Sequence, residues 1–147
     1  MKRIILMGRS GSGKTTLIEA LRGERLVYRK TQYIDYSADF MDTPGEYTEG
    51  NDLGGALAVY SYEADVVGLV LSATDDFSVF PPACAPVANR PVVGIVTKCD
   101  DPEARADLAE MRLELCGCEP IFHTSARTGQ GISEILAYLG ANQPKTT

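Results

Sequence analysis

The chain has 147 residues, of which 44% are hydrophobic and 23% charged, and it carries a formal net charge of −6. This length and composition are typical of one folded domain and exclude a fibre or a disordered chain. The excess of acidic residues opposes binding to nucleic acid or to an anionic membrane surface, and the first apolar run, residues 4–7, is too short to span a bilayer. We therefore expect a cytoplasmic protein that binds neither nucleic acid nor a membrane.

Short apolar runs alternate with helical patterns along the whole chain. The apolar runs predict strands over residues 2–7, 39–42, 66–72, 92–97 and 121–124, and the helical patterns predict helices over residues 15–22, 53–62, 102–116 and 133–139. Strands separated by helices favour a three-layer α/β fold, with a mostly parallel sheet and helices on both faces. Residues 1–141 are expected to form this domain and residues 142–147 a flexible tail. Ligands of such sheets bind beyond the carboxyl ends of the strands, so the chemistry is expected in those loops.

The loop after the first predicted strand has the phosphate-binding pattern G-x-x-x-x-G-K-[ST] between a strand and a helix. Its residues are Gly8, Arg9, Ser10, Gly11, Ser12, Gly13, Lys14 and Thr15, followed by Thr16. Glycines let successive N–H groups point inward at a helix N-terminus, where the helix dipole also favours an anion. Lys14 is expected to reach the β- and γ-phosphates and the Thr15 hydroxyl to bind Mg²⁺. A glycine-rich turn without a ligand is the alternative.

The loop after the second predicted strand begins with Asp42-Thr43-Pro44-Gly45. Asp42 stands at a strand tip, where its carboxylate can hold Mg²⁺ through water, and the Gly45 N–H can approach a γ-phosphate closely because no Cβ intervenes. Thr31 is the only threonine between Thr16 and Thr43 and is the candidate for a second ligand on the Mg²⁺ side. Taken alone, a D-x-P-G sequence is usually an ordinary turn, but next to a P-loop a role in nucleotide binding is favoured. Thr31 is equally compatible with an inert position in an exposed loop.

Two further segments end the last two strands of the predicted sheet. In Thr97-Lys98-Cys99-Asp100, the aspartate can accept hydrogen bonds from guanine N1–H and N2–H₂, and the aliphatic stem of Lys98 can cover the base. In Thr124-Ser125-Ala126, a small residue and a free backbone N–H could meet the guanine O6. Their order and spacing after the first two motifs make them candidates for a base-binding site.

In this order, the four segments resemble the P-loop GTPase superfamily over most of the chain, which implies a P-loop NTPase fold of the small-GTPase kind. GRSGSGKTTL, Lys30-Thr31-Gln32, DTPGEY and the TKxD form are similar to the EutP/PduV family of ethanolamine and propanediol utilisation proteins. Residues 63–71 also look like the propanediol-side members. The resemblance implies a nucleotide-binding protein associated with bacterial microcompartments, and an acetate kinase activity is attributed to the ethanolamine branch.

Two residues depart from the pattern of the superfamily. Thr97 stands where guanine-specific members carry an asparagine that ties the base loop to the P-loop and contacts the base, so a weakened guanine preference is expected and both GTP and ATP are candidates. Glu46 stands where hydrolytic members carry a glutamine that orients the attacking water. A carboxylate is repelled by the γ-phosphate and donates no hydrogen bond unless protonated, so slow hydrolysis is expected.

The chain is also shorter than typical small GTPases. Only 26 residues separate Thr15 from Asp42, which predicts an abbreviated second strand and hairpin. The proline-containing residues 77–82 replace the long third helix of such folds, because proline breaks helix interiors. This segment is either a partner-docking loop with two exposed aromatic side chains, Phe77 and Phe80, or an irregular loop under which they pack.

Three functions remain open. The first is a Mg²⁺-nucleotide-dependent P-loop protein with slow hydrolysis, in which Lys14, Thr31 and Glu46 are the catalytic candidates. The second is an ATP-dependent kinase of a small carboxylate such as acetate, and the third a non-catalytic, nucleotide-bound adaptor that docks on a microcompartment shell protein. The single histidine, His123, is expected to be structural. The four cysteines are expected to be free, buried or half-buried thiols, since a cytosolic domain of this size folds without disulfides: Cys84, Cys99, Cys116 and Cys118.

Overall fold

The computed structural model describes residues 1–28, 39–43 and 53–140, with the side chains of residues 24–28 excepted. The strands are β1 (Ile4–Met7), β2 (Phe40–Asp42), β3 (Val66–Ser72), β4 (Val92–Thr97) and β5 (Ile121–His123). The helices are α1 (Lys14–Tyr28), α2 (Leu53–Tyr60), α3 (Ala106–Cys116) and α4 (Ile132–Leu139), with short 3₁₀ turns at Ser61–Glu63 and Ala85–Val87.

The five strands form one sheet in the order β2-β1-β3-β4-β5, and every pair is parallel. The registers pair Leu6 with Asp42, Ser72 with Thr97 and Val96 with His123, so the strands end along one edge of the sheet. All residues of β1, β3 and β4 are buried, because both faces of the sheet are covered. The predicted three-layer α/β fold is confirmed.

Each face of the sheet has its own apolar cluster. On one face, α1 and α4 pack through Leu17, Leu21, Ile135 and Leu136 against alternate residues of the sheet. On the other face, α2 and α3 contribute apolar side chains that include Leu57 and Leu113. The phosphate loop joins β1 to α1, so the sheet and the first helix fix its two ends.

The largest differences from the predicted element boundaries occur at two helices, and the other boundaries differ by at most two residues. α1 continues to Tyr28 instead of ending at residue 22, so Gly23 lies within the helix. α3 begins at Ala106 rather than at residue 102, because Asp101 forms a turn: its Oδ1 accepts the Glu103 N–H at 2.8 Å and its carbonyl accepts the Ala104 N–H at 3.0 Å. Neither difference changes the topology.

Residues 73–91 connect β3 to β4 without an α-helix, and all of them are described. Their only helical element is the 3₁₀ turn Ala85–Val87. Phe77 is exposed, whereas Phe80 is buried in the cluster beneath α3. The segment is therefore an irregular loop. Phe80 packs under it, as one predicted alternative has it, and Phe77 is exposed, as the other has it.

The four cysteines are free, as predicted: Cys84, Cys116 and Cys118 are buried and Cys99 is half-buried. Burial raises the pKa of the Cys118 thiol from its ordinary value of 9.0 to about 12. The pKa of Cys116 is also raised, chiefly by its hydrogen bond with Cys84, and that bond lowers the pKa of Cys84. Among the described residues, no helix is both long and apolar enough to cross a bilayer.

Candidate functional site

The phosphate loop is a tight turn whose shape requires glycine, as Gly8 and Gly13 show. A Cβ on Gly8 would lie 2.7 Å from the Val70 carbonyl oxygen and 2.8 Å from Ser12 Oγ, so the loop can lie against β3 only with glycine there. Gly13 has a φ of +93°, a conformation that other residues rarely adopt. The turn leads directly into α1, whose first N–H groups have no partners within the helix. A cradle of backbone donors thus faces the carboxyl edge of the sheet.

Lys14 is the first residue of α1 and is buried within this turn. Its ammonium group donates to the carbonyl oxygens of Gly8 at 2.6 Å and Arg9 at 3.3 Å. These bonds hold the positive charge beside the loop where the sequence pattern predicts phosphate contacts.

Thr15 and Asp42 meet across the gap between α1 and β2. Thr15 Oγ1 donates to Asp42 Oδ2 at 3.2 Å, and both residues are exposed. The end of β2 is fixed by Thr43, which is buried and donates its hydroxyl to the Leu6 carbonyl at 2.8 Å. A hydroxyl and a carboxylate are oxygen ligands of the kind that Mg²⁺ prefers, so this pair fits the predicted metal site.

The loop after β4 is attached to the phosphate loop by two side chains. Thr97 Oγ1 donates to the Ser12 carbonyl at 2.6 Å, and Lys98 Nζ donates to the Gly11 carbonyl at 2.9 Å. Lys98 has a φ of +61°, which is uncommon for a residue other than glycine. The hydroxyl of Thr97 therefore makes the connection between the two loops that an asparagine makes in the superfamily that the sequence resembles.

Asp100 is positioned by the loop after β5. Ser125 Oγ donates to Asp100 Oδ1 at 2.8 Å, and the two loops are also joined by a bond from the Cys99 N–H to the Thr124 carbonyl at 3.1 Å. The turn after Ser125 is closed by its own N–H, which donates to the Gln130 carbonyl at 3.0 Å. The carboxylate thus has a fixed direction with one oxygen engaged by a neutral donor.

A cavity of about 270 Å³ lies between these loops. The sequence-predicted residues that line it are Gly13, Thr16, Thr97, Lys98, Asp100 and Ala126. The lining also includes Leu17, Pro102 and Arg127. These residues were not predicted, because an apolar helix residue and two loop residues carry no pattern of their own. The cavity adjoins the P-loop, which is the arrangement needed to hold a base on one side and phosphates on the other.

Arg9 points from the phosphate loop toward the loop after β3. Its guanidinium forms an ion pair with Asp75, in which Nε lies 3.2 Å from Oδ2, and it stacks on the Phe77 ring with Cζ 5.4 Å from the centroid. The Asp75 side chain is only 6% exposed. Arg112 of α3 donates to the carbonyl oxygens of Asp75 at 2.9 Å and Asp76 at 2.7 Å. No motif of the sequence includes Asp75. Its position shortly after β3, at the edge of the sheet where ligands bind, is the feature from which it could have been predicted.

Three predicted site residues, Thr31, Gly45 and Glu46, lie outside the described residues. The structure brings the other predicted residues to one edge of the sheet. Arg9 and Ser12 act there within the scaffold, since Arg9 binds Asp75 and Ser12 supplies its carbonyl to Thr97. His123 lies at the end of β5 with its Nε2 3.2 Å from Glu110 Oε1, away from the phosphate loop.

Residues 1–141 match the profile of a protein family described as ethanolamine utilisation and propanediol utilisation, PduV-EutP. The chain is 44% identical over 145 residues to the propanediol utilization protein PduV of Citrobacter freundii, which covers 97% of this chain and 96% of that protein. It is 36% identical over 146 residues to the probable acetate kinase EutP of Salmonella typhimurium, over 96% of this chain and 91% of that protein. Among solved structures, the G-domain of FeoB from Methanococcus jannaschii is similar with a TM-score of 0.63 and 20% identity, covering 97% of this chain and 98% of that one. The likeness to a G-domain shows the P-loop NTPase fold.

Proposed function

The chain belongs to the ethanolamine and propanediol utilisation family of PduV and EutP, and from this premise we propose that it binds a guanine nucleotide with Mg²⁺ and hydrolyses it slowly. The observation that supports this most is the pair of hydrogen bonds around the cavity. Thr97 Oγ1 donates to the Ser12 carbonyl at 2.6 Å and so joins the loop after β4 to the phosphate loop. Ser125 Oγ donates to Asp100 Oδ1 at 2.8 Å. A carboxylate fixed in this way accepts two N–H groups of guanine, which adenine does not offer.

Residues of the phosphate loop and of the loop after β2 hold the phosphates and the metal ion in this proposal. The backbone N–H groups at the start of α1 and the Lys14 ammonium neutralise the phosphates, and Thr15 and Asp42 hold the metal ion. A Mg²⁺ ion held by Thr15 and Asp42 would supply positive charge that offsets the negative charge of the phosphates. Thr31 and the Gly45 N–H contribute on the γ-phosphate side. These sites stabilise a triphosphate on a chain of net charge −6 because local donors outweigh distant surface charge.

A titration of GTP and ATP in the presence of Mg²⁺ tests the base preference. GTP is expected to bind more tightly than ATP, and Asp100→Ala is expected to remove that difference by weakening GTP alone. Asp76→Ala, which removes an exposed carboxylate at the same sheet edge, is the matched control. Equal affinities for the two nucleotides, unaltered by Asp100→Ala, would contradict guanine recognition.

Hydrolysis is slow in this proposal because Glu46 replaces a water-orienting amide. Glu46→Gln is expected to raise the single-turnover rate about tenfold, since the amide donates a hydrogen bond and removes a like charge from the γ-phosphate. Glu46→Ala removes the charge without the donor and is the control. A native rate that is already fast and is not raised by Glu46→Gln would show that the water is activated elsewhere. Tight binding without turnover in every variant would favour a nucleotide-bound adaptor on a microcompartment shell protein.

A second candidate function is an ATP-dependent acetate kinase, favoured by the identity of 36% over 146 residues to the protein named probable acetate kinase EutP. The same P-loop residues would hold ATP. Acetyl phosphate formation that persists through purification and is lost in Lys14→Ala would support this reading. Formation that survives Lys14→Ala would come from a contaminating kinase and would exclude it.

A further inference from the structure

One flank of α3 carries an apolar row that the rest of the described chain leaves open. Leu108, Met111 and Leu115 recur at intervals of three and four residues, so they lie on the same face of the helix. Met111 is 49% exposed and Leu115 60% exposed, and Leu108 is half-buried. These three residues are named the α3 stripe.

The connection between β3 and β4 borders the stripe on the Arg112 side without covering Met111 or Leu115. Residues 73–91 pass along this flank of α3, where the Ala83 N–H donates to the Leu115 carbonyl at 2.8 Å and Arg112 donates to the carbonyl oxygens of Asp75 and Asp76. This connection forms irregular turns instead of a helix that would pack beside α3. A row of three apolar residues at helical spacing differs from single exposed apolar side chains, which are normal on protein surfaces.

The border of the stripe is acidic. Asp107 and Glu114 follow it along the same helix and are exposed, and Glu110 lies beyond them, half-buried, beside His123. The one basic residue of α3, Arg112, has its guanidinium bound to backbone carbonyl groups on the opposite border. An apolar row beside carboxylates is complementary to a helix that has apolar residues on one face and lysine or arginine next to them.

We propose that the α3 stripe is the docking site of a basic amphipathic α-helix of a partner protein. The apolar face of that helix covers Leu108, Met111 and Leu115, and its cations face Asp107 and Glu114. This surface is separate from the cavity that binds the nucleotide in the proposed function, so the inference stands independently of it.

The probe is a fluorescent synthetic peptide of leucine and lysine, ordered so that the leucines form one helical face. Fluorescence anisotropy is expected to show binding that weakens about tenfold or more in the double variant Met111→Ser and Leu115→Ser. The matched control is the double variant Val59→Ser and Tyr62→Ser, which changes two residues of similar exposure, 62% and 68%, at α2 and the 3₁₀ turn after it. This control is expected to bind like the native chain.

The charged border is tested separately, with substitutions at exposed positions that leave the fold intact. Asp107→Asn with Glu114→Gln is expected to weaken binding and to reduce its dependence on salt. The same peptide with glutamate in place of lysine is expected not to bind. Equal losses in the stripe and control variants, or equal binding of the two peptides, would overturn the proposal.

Discussion

At the scale of single residues, Thr97 joins the two halves of the candidate site. Its hydroxyl donates to the Ser12 carbonyl at 2.6 Å in a buried position. Thr97→Ala is expected to lower the free energy of unfolding by about 1–3 kcal/mol, because the Ser12 carbonyl loses its buried partner. It is also expected to weaken nucleotide affinity roughly tenfold, since the two loops are no longer held together. Urea unfolding and nucleotide titration measure the two effects.

Thr97→Ser keeps the hydroxyl and is the control for this substitution. It is expected to retain nucleotide affinity and to lose only the packing of one methyl group. If Thr97→Ser weakened the nucleotide as much as Thr97→Ala, the methyl group rather than the hydrogen bond would carry the connection.

The ion pair between Arg9 and Asp75 is a second contact of single residues with a measurable energy. A double-mutant cycle with Arg9→Ala and Asp75→Ala is expected to give a coupling of about 1–2 kcal/mol, because the carboxylate is nearly buried while the guanidinium keeps part of its hydration. Urea unfolding of the four proteins measures it. The same cycle with Asp76 in place of Asp75 should give a coupling near zero, and equal couplings in the two cycles would show a general charge effect.

Sequence alone predicted the site residues whose role depends on the backbone turn or on their own functional group. Gly8, Gly13, Lys14, Thr15 and Asp42 stand where the motif puts them, because the turn geometry and helix start are local properties. The partner of Arg9 is different, since Asp75 lies far along the chain and only the parallel pairing of β1 with β3 brings the two loops together. The weakened guanine preference expected from Thr97 stays a prediction, and the sequence did not reveal the bond from the Thr97 hydroxyl to the Ser12 carbonyl at 2.6 Å.

At the scale of secondary-structure elements, the strands were predictable because buried parallel strands are continuous apolar runs. The helix ends were less so, since they depend on single turns. The prediction ended α1 at Arg22, before Gly23, but the helix continues to Tyr28, since a glycine in a helix interior costs only about 1 kcal/mol and does not by itself end the helix. The predicted start of α3 was wrong because a turn at Asp101 precedes the helix, which begins at Ala106.

Gly23 in α1 gives a prediction about the stability of that helix. A Cβ at this position would meet nothing within 4 Å, so Gly23→Ala is expected to raise the free energy of unfolding by about 0.5–1 kcal/mol. Thermal or urea unfolding measures the gain. Gly68→Ala in β3 is the opposite control, since its Cβ would lie 2.8 Å from Leu6 Cδ2 and is expected to destabilise the chain. No gain in Gly23→Ala would show that α1 is frayed beyond Arg22.

At the scale of the whole molecule, the buried thiols make stability depend on alkaline pH. The pKa of Cys118 is raised to about 12 in the folded chain by burial, and that of Cys116 is raised as well, whereas the lowered pKa of Cys84 opposes them. A raised pKa in the folded state means that the unfolded chain loses its protons first as the pH increases. The stability from Cys118 is therefore complete below about pH 9 and is lost between about pH 9 and pH 12.

Cys118→Ala is expected to flatten this alkaline loss. Urea unfolding under reducing conditions, at neutral pH and near pH 10, gives the change in the free energy of unfolding for the native chain and for the variant. The difference between the two proteins removes the contribution of lysines and tyrosines, which titrate in the same range. Parallel losses in the two proteins would show that the Cys118 thiol is ionised as readily in the folded chain as in the unfolded one.

The packing of α4 on the sheet, where the Leu139 carbonyl accepts the Lys2 N–H at 2.7 Å, affects how the chain folds during its synthesis on the ribosome. β1 is made before the other four described strands and lies inside the sheet, between β2 and β3, so the strands can be added outward from it as they emerge. The helix α4, which ends at Leu139, is made after all five strands, and it covers the same face of the sheet as α1. Until α4 has left the exit tunnel, the apolar residues of β1 and α1 on that face remain uncovered by it, and apolar surface exposed in this way is prone to aggregation.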